Sequence, residues 1–398
     1  MSESPRKIYF KILFVVLIGS ALSLGLVRLF AYMNNASGDN FLGRVLESRK
    51  ALNQIVREDS ELVMFYGSSM TGAGFAPRLF DKALHGMDID VKSFNFGFGG
   101  LNPFFQDIYS RRIREEFQQN NRRLKLAILE FNPFQTTITR HNGAKMLEDS
   151  FVTLLASNEE LKDITLKDPT RGVRLLTIKY LRDGVSAEMI TGFFGREFSV
   201  PRERSQIPED ETLKKRLDEV GVLLNEAFEK EYPDFKNSQW SYEWQGGGTI
   251  PEERSQETLK IFDEYYTLQN NNKKNLDDDR LNRIATADII ELKFSQELVE
   301  AYIRIIKNFQ QFSDKVDVVM LPRNTDWITN SPEGLERLNK TIKTIENATG
   351  VTIKNHQDLD VMTPSMFRDT THLNRYQGSV TYTNYIVDQY KDFLKQRQ

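Results

Sequence analysis

Short apolar runs alternate with helical patterns in two separate parts of this chain, and this alternation constrains its fold more than any other feature. The apolar runs, each of which predicts a buried strand, are 62–66, 91–96, 124–131, 316–321 and 351–354. The helical patterns are 77–84, 102–120, 332–347 and 378–395. Strands that alternate with helices predict an α/β fold around a parallel sheet, with ligands at the carboxyl ends of the strands.

The 398 residues are enough for two or three domains, or for one domain with a large insertion. The stretch between the two alternating parts is rich in charged residues and helix formers and lacks their rhythm. We therefore assign residues 60–139 and 315–398 to the two parts of one α/β domain. Residues 140–314 are predicted to be a mainly helical insertion that caps this domain.

The N-terminal segment contains an uncharged apolar run, residues 12–27, preceded by Arg6, Lys7 and Lys11. A helix of ~20 apolar residues crosses a membrane, and the positive-inside rule places the preceding cations in the cytoplasm. Residues 1–34 are thus predicted to be a cytoplasmic leader and a transmembrane signal anchor. A cleaved signal peptide, whose apolar region is ~7–15 residues, is the main alternative, and a buried core helix is a third.

This anchor predicts where the rest of the chain lies. Residues 35–59 are polar with spaced leucines and are predicted to form an amphipathic stalk helix. The protein would cross the inner (cytoplasmic) membrane once, in contact with membrane lipid. Its N-terminus would lie in the cytoplasm and its C-terminal domain on the extracytoplasmic side.

The composition excludes several classes of function. The chain has no cysteine, which excludes a disulfide scaffold, a Cys nucleophile and thiolate metal sites. The formal net charge is −3, and because residues 1–33 carry four Lys and Arg side chains against Glu3 alone, the rest carries about −6. A mildly acidic body lacks the basic surface that binding to phosphate backbones requires. Nucleic acid is therefore not expected as a partner.

Candidate catalytic residues follow the predicted strands. Ser69 lies in Gly-Ser-Ser at the end of the first strand, where a hydroxyl is exposed at the functional edge of the sheet. Near the C-terminus, Asp369 precedes His372 by three residues, and a serine nucleophile needs such a base with a group that fixes its tautomer. Gly100, at the end of a glycine-rich turn, and Asn132 offer the backbone and side-chain donors that an oxyanion hole requires. Each element alone also fits a turn, a helix cap or a surface loop.

Taken in order, these elements resemble a known family. Gly-x-Ser, Asn-x-Gly-x-x-Gly, a strand-ending Asn and Asp-x-x-His resemble the SGNH (GDSL-like) hydrolase superfamily over about residues 60–135 and 315–395. The resemblance implies a three-layer, flavodoxin-like parallel sheet. Ser68 stands where the family usually has Asp, and Phe131-Asn132-Pro133 stands for its Gly-x-Asn-Asp.

The resemblance also implies roles for single residues. Ser69 would be the nucleophile, His372 the base and Asp369 the partner that orients the base. The oxyanion hole would be formed by the Ser69 amide, Gly100 and Asn132. No metal and no organic cofactor is required by this chemistry.

The anchor, the Gly-Ser-Ser form and the long insertion are similar to the membrane-anchored SGNH proteins. These include the lipoteichoic-acid D-alanylation protein and the alginate acetylation factors, which act beside membrane-bound O-acyltransferases. The implied function is a serine esterase or O-acyltransferase that moves an acetyl-like acyl group, through an acyl-Ser intermediate, on a cell-envelope glycan or polymer. A membrane-bound O-acyltransferase is then an expected partner. A catalytically silent accessory protein that scaffolds an envelope acylation complex is the alternative from another class.

Three tryptophans are weaker candidates for substrate binding. Trp240 and Trp244 flank a short aromatic loop that could stack on sugar rings, although a hydrophobic anchor between the insertion and the core is the favoured interpretation. Trp327 follows the fourth predicted strand near the active edge and has the same two interpretations.

Overall fold

The computed structural model describes residues 5–33, 41–182, 203–233, 240–247 and 255–396. The other residues of the predicted leader, stalk and insertion lie outside the described part of the chain. The strands are β1 (Glu61–Ser68), β2 (Val91–Phe98), β3 (Leu124–Glu130), β4 (Ser313–Met320) and β5 (Ile353–Asn355). They form one sheet, in which every pairing is parallel and the order is β2-β1-β3-β4-β5. The predicted α/β fold with a parallel sheet is therefore confirmed.

Helices lie between the strands and after them. Those of the first half are α1 (Pro5–Met33), α2 (Phe41–Ile55), α3 (Ser69–Gly74), α4 (Pro77–His85), α5 (Pro103–Gln119), α6 (Ile138–Leu155), α7 (Asn158–Lys167) and α8 (Pro169–Arg182). Those of the second half are α9 (Glu211–Glu231), α10 (Gln256–Asn271), α11 (Lys273–Ala287), α12 (Gln296–Gln310), α13 (Pro332–Thr349) and α14 (Gly378–Lys395). Helices of this length joined to parallel strands are the expected crossover connections.

Both faces of the sheet are covered by helices, as the side chains of β1 illustrate. Successive residues of a strand point to opposite faces. Phe65 stacks on Phe75 at a ring separation of 4.0 Å and belongs to the core formed with α4 and α14. Its neighbour Tyr66 packs instead on Tyr109 of α5 and Phe309 of α12. A strand that is buried on both sides explains why its sequence is continuously apolar rather than alternating.

The strand order indicates at which edge of the sheet a ligand site is expected. The chain passes from β1 to β2 on one side, and β3 returns to the other side of β1. In open parallel sheets, ligands bind at the carboxyl ends of the strands where the order reverses in this way. Residues that follow β1, β2 and β3 are therefore brought to a common crevice.

The chain divides into two compact units, residues 38–144 with 200–398 and residues 1–37 with 145–199. Parts of the predicted insertion 140–314 therefore fall in different units. Its C-terminal helix α12 packs on α5 through an apolar face that includes Tyr302 and Ile305, both buried. This helix belongs to the α/β layers, because its amphipathic face completes the crossover to β4.

The segment predicted as a stalk also lies within the α/β unit. Val45, Leu52 and Ile55 on one face of α2 are at most 2% exposed. The Ser48 hydroxyl forms a buried hydrogen bond of 2.5 Å with the hydroxyl of Tyr109 on α5. The apolar face of this amphipathic helix is buried against the body rather than left on a free connector.

The N-terminal helix differs from all of these. Residues 6–26 are exposed along their whole length, and their mean hydropathy reaches 2.0. At about 1.5 Å per residue, such a helix is long and apolar enough to span a membrane. Its exposure contradicts the interpretation as a buried core helix.

We expect His356, after β5, to make the fold sensitive to acid. Its ring is 5% exposed and Nδ1 lies 2.8 Å from the Tyr382 hydroxyl. Burial, with the charge of Lys354, lowers the pKa of His356 to about 4, so as pH falls the unfolded chain takes up the proton first. The stabilisation is complete above pH ~6.5 and is lost towards the folded pKa, at a cost of about 2 kcal/mol by pH 4.5.

Denaturant unfolding of the full chain in nonionic detergent, between pH 7 and 4.5, measures this loss. The variant His356→Gln should lose about 2 kcal/mol less of its unfolding free energy over the same interval. Equal losses in the wild type and the variant would contradict the assignment to His356.

Candidate active site

The turn between β1 and α3 presents Ser69. Ser68 ends the strand and caps the helix, since its hydroxyl accepts the amide of Met70 at 3.2 Å. Gly67 is required here because a Cβ would lie 2.3 Å from Thr71 Oγ1 and 2.4 Å from Glu130 Oε2. The following Ser69 is partly exposed at the carboxyl edge of the sheet.

The structure brings Ser69, His372 and Asp369 together from opposite ends of the chain. Ser69 Oγ lies 2.7 Å from His372 Nε2, and His372 Nδ1 lies 2.8 Å from Asp369 Oδ2. Because an ionised carboxylate can only accept a hydrogen bond, Nδ1 carries the ring proton and its N–H donates a hydrogen bond to Asp369. Nε2 is then the acceptor, and the Ser69 hydroxyl donates to it. This is the geometry of a nucleophile, its base and a group that orients the base.

Asp369 is held in its ionised form. Its Oδ1 accepts the backbone amides of Thr371 and His372, both at 2.8 Å. Arg283 Nη2 lies 3.3 Å from Oδ1, and Arg368 Nε lies 3.5 Å from Oδ2. Burial alone would raise the pKa of Asp369, but the charge and hydrogen bond of His372, with the two arginines, lower it below its ordinary value. The carboxylate therefore remains an acceptor for the imidazole at neutral pH.

The two predicted oxyanion donors reach the same pocket. Gly100 and Asn132 line a pocket of about 180 Å³ together with Ser69 and His372. Gly100 has φ +79°, a left-handed backbone that favours glycine. The Asn132 side-chain amide donates to Ser68 Oγ at 3.0 Å and makes a long contact of 3.4 Å to Met70 Sδ. Both contacts are made by the same nitrogen, Nδ2.

A buried carboxylate behind Ser69 was not predicted from the sequence. Glu130, the last residue of β3, is 3% exposed. Its Oε1 accepts the Ser68 hydroxyl at 2.6 Å, and its Oε2 accepts the Ser68 amide at 2.8 Å and the Thr71 amide at 3.1 Å. The Thr71 hydroxyl donates to the same Oε2. Glu130 thus joins the end of β3 to both sides of the turn that presents Ser69.

Two arginines in the pocket were also missed. Arg140, near the start of α6, and Arg283 of α11 line the pocket beside Ser69. Neither sequence position carries a motif, because α6 and α11 lie outside the strand–helix alternation. Glu130 was easier to identify from the sequence than these two arginines. It is an acidic residue in a strand that is otherwise buried, and a buried carboxylate needs hydrogen-bond partners.

None of the three predicted tryptophans lines the pocket at Ser69. Trp240 is 2% exposed, and its indole N–H donates to the carbonyl of Asn95 on β2 at 2.9 Å. The Asn95 amide in turn donates to the carbonyl of Gln245 at 2.8 Å. The aromatic loop therefore covers the edge strand β2, which would otherwise expose unpaired backbone groups. This favours the interpretation of Trp240 as an anchor.

The other two tryptophans are partly buried beside cations. Trp244 lies under Arg78, whose guanidinium carbon is 4.5 Å from the ring centroid, and the Lys273 ammonium lies 5.8 Å from the Trp327 centroid. Aromatic side chains that neighbour the carboxylate of Asp369 come instead from α9 and α10. Together with Asp369 they line a second pocket, of about 400 Å³; they are Phe228, Phe262, Tyr265 and Tyr266.

Comparison with protein-family models and with curated protein sequences finds no match to this chain. A function for the protein is therefore argued from the site itself and from the order of its motifs.

Proposed function

We propose that this protein is a membrane-anchored serine esterase or O-acyltransferase of the SGNH type. The observation that carries the proposal is the continuous hydrogen-bonded series from Ser69 through His372 to Asp369, at the edge of the sheet where ligands of this architecture bind. The order of the motifs along the chain supports the family. The substrate we propose is an acylated cell-envelope glycan or polymer.

The proposed reaction begins with attack by Ser69 Oγ on an acyl carbonyl, while His372 Nε2 takes the hydroxyl proton. Asp369 stabilises the imidazolium that forms. The Ser69 amide, Gly100 and Asn132 would stabilise the oxyanion, at about 3–4 kcal/mol of barrier for each donor. His372 then gives its proton to the leaving oxygen as the ester bond breaks, which leaves an acyl-Ser69 intermediate. Attack by water or by a glycan hydroxyl, deprotonated by His372, releases the acyl group and restores Ser69.

The location and partners are part of the proposal. Arg6, Lys7 and Lys11 precede the exposed apolar helix, which supports a cytoplasmic N-terminus and an extracytoplasmic α/β domain at the inner membrane. An extracytoplasmic acyl transfer needs an acyl donor on that side of the membrane. A membrane-bound O-acyltransferase would supply it, and this is the partner that we propose.

The test of the proposal is covalent labelling by a fluorophosphonate probe. We expect the full chain to be labelled on Ser69 and the variant Ser69→Ala to lose the label, because only an activated serine reacts at a useful rate. Peptide mapping identifies the labelled residue. Absence of label from the folded wild-type protein would favour a non-catalytic accessory protein.

The chain offers a matched control for this experiment. Ser295 Oγ lies 2.8 Å from His141 Nδ1, and His141 Nε2 lies 3.2 Å from Glu297 Oε2, so this site also has a serine, a histidine and a carboxylate. However, Ser295 caps α12 and is 6% exposed, and the Glu297 side chain is 77% exposed. We expect Ser295→Ala to keep the label in full. Loss of the label in Ser295→Ala, with retention of the label in Ser69→Ala, would show that the probe reacts with Ser295. This result would contradict the proposal.

Hydrolase and transferase are separated by a measurement on cells. Deletion of the gene should lower the O-acyl content of envelope glycans if the acceptor is a glycan hydroxyl. Unchanged or increased acylation would favour the esterase.

A further inference from the structure

The pocket beside Ser69 has an unusual distribution of charge. Its lining includes the guanidinium groups of Arg140 and Arg283 and the imidazole of His372, and none of the described residues that line it is Asp or Glu. The guanidinium group of Arg140 therefore adds positive charge to the wall of a pocket of about 180 Å³, next to Ser69.

Arg140 has only neutral partners among the described residues. Its Nε donates to Gln135 Oε1 at 2.7 Å, and its Nη2 donates to the carbonyl of Gly100 at 3.2 Å. A guanidinium has five N–H donors, so most of them meet no acceptor in the described part of the chain. Burial, together with the charge of Arg283, lowers the pKa of Arg140. The site therefore holds a partly desolvated cation with no counterion among the described residues, an arrangement that costs free energy until a ligand binds.

Arg283 is arranged differently. Its Nε donates to Asp279 Oδ2 at 2.8 Å and to Thr370 Oγ1 at 3.0 Å, and its Nη2 reaches Asp369. Its charge is compensated by these two carboxylates, which also fix the orientation of its planar group. These contacts hold Arg283 in the wall of the pocket that Arg140 also lines.

We infer that this pocket is an anion subsite, in which Arg140 binds a carboxylate or phosphate group of the molecule that reacts at Ser69. Guanidinium groups bind both anions through paired hydrogen bonds. The link between the subsite and acyl transfer rests on the proposed function; the subsite itself rests on the arginines. The substrate class then narrows to an acidic glycan or polymer, with either uronate or phosphate groups.

Binding of three related sugars to the full chain tests this inference by titration calorimetry, in a sugar-free nonionic detergent. Glucose is neutral, glucuronate carries a carboxylate and glucose 6-phosphate carries a phosphate. We expect at least one of the two acidic sugars to bind about tenfold or more tightly than glucose, since a charge-assisted hydrogen bond contributes that much. The preferred acidic sugar identifies the anion. Equal affinities for all three sugars, or no binding of either acidic sugar at millimolar concentration, would overturn the inference.

Three variants assign the effect to Arg140. Arg140→Gln should remove the preference for the acidic sugars, and Arg140→Lys should keep part of it because the charge remains. Arg216→Gln is the matched control, since Arg216 is an exposed arginine paired with Glu264 and does not line this pocket. A preference that survives Arg140→Gln would overturn the inference.

The calorimetry does not require Ser69 to react, so the two proposals can fail separately. If the wild-type protein binds the acidic sugars through Arg140 but is not labelled by the fluorophosphonate probe, the anion subsite is supported and the proposed enzymatic function is contradicted. If the protein is labelled on Ser69 but binds all three sugars equally, the proposed enzymatic function is supported and the anion subsite is contradicted.

Discussion

Replacing Ser69 or His372 with alanine is expected to lower kcat for hydrolysis of a small ester, such as 4-nitrophenyl acetate, by about 10⁴- to 10⁶-fold. The reason is that Nε2 of His372 lies 2.7 Å from the Ser69 hydroxyl, and the hydroxyl is not nucleophilic without that base. Asp369→Asn should lower kcat by about 10⁴-fold, because an amide can hold the imidazole in the wrong tautomer. Steady-state rates of the purified full chain in detergent measure these losses.

The three side chains are expected to act as one unit, and this gives a sharper form of the same test. Once Ser69 is absent, His372 has no proton to accept, so the double variant Ser69→Ala/His372→Ala should be no slower than either single variant. His141→Ala is the matched control, because His141 also contacts a serine but lies outside the pocket. A His372→Ala variant that keeps a tenth of the wild-type rate would contradict the assignment of the base.

The meeting of Ser69 with His372 could be anticipated because it depends on topology rather than on side-chain packing. A run such as 62–66 that ends at glycine specifies a strand end, and parallel strands bring their carboxyl ends to one edge. Asp369 and His372 are three residues apart, so a single turn suffices to place them at the same local site. Each of these relations is short-range in sequence or fixed by the sheet.

The features that escaped prediction depend on contacts between distant segments. Nothing near Arg140 in the sequence identifies its proximity to Gly100 or Arg283, because the three residues come from segments that are far apart along the chain. Likewise, the polar and apolar pattern of α2 fits both an exposed stalk and a helix buried on one face. Whether the tryptophan at position 240 meets a sugar or covers a strand edge depends on which strand lies at the edge, and the strand order was not specified by the pattern.

Glu130 is where the sequence contained an unused signal. In the run 124–131 it is an acidic residue within a strand that is otherwise suited to burial, and a buried carboxylate requires several donors. Ser68 supplies two of these donors in the position that is usually Asp in the resembled family. The carboxylate thus comes from the neighbouring strand rather than from the turn itself.

Glu130→Ala is therefore expected to lower the free energy of unfolding by roughly 3 kcal/mol, because it leaves buried neutral donors without an acceptor, at about 1–3 kcal/mol for each group left unsatisfied. The substitution leaves the amides and hydroxyls of Ser68 and Thr71 without an acceptor in a site that is 3% exposed at Glu130. Glu130→Gln keeps one acceptor oxygen and should lose about half as much. Denaturant unfolding measures the stability, and the rate of fluorophosphonate labelling reports whether Ser69 is still presented correctly.

A companion substitution separates this network from a general effect of mutation in the core. In Gly67→Ala the new Cβ would lie within 2.4 Å of both Thr71 Oγ1 and Glu130 Oε2, so it must displace the carboxylate. Gly67→Ala and Glu130→Ala remove the same hydrogen bonds. The double variant Gly67→Ala/Glu130→Ala should therefore lose clearly less unfolding free energy than the sum of the losses in the two single variants. Gly86→Ala, whose Cβ would meet nothing closer than 3.5 Å, is the control. Strict additivity would mean that Gly67 and Glu130 stabilise the turn independently, contrary to the contacts between them.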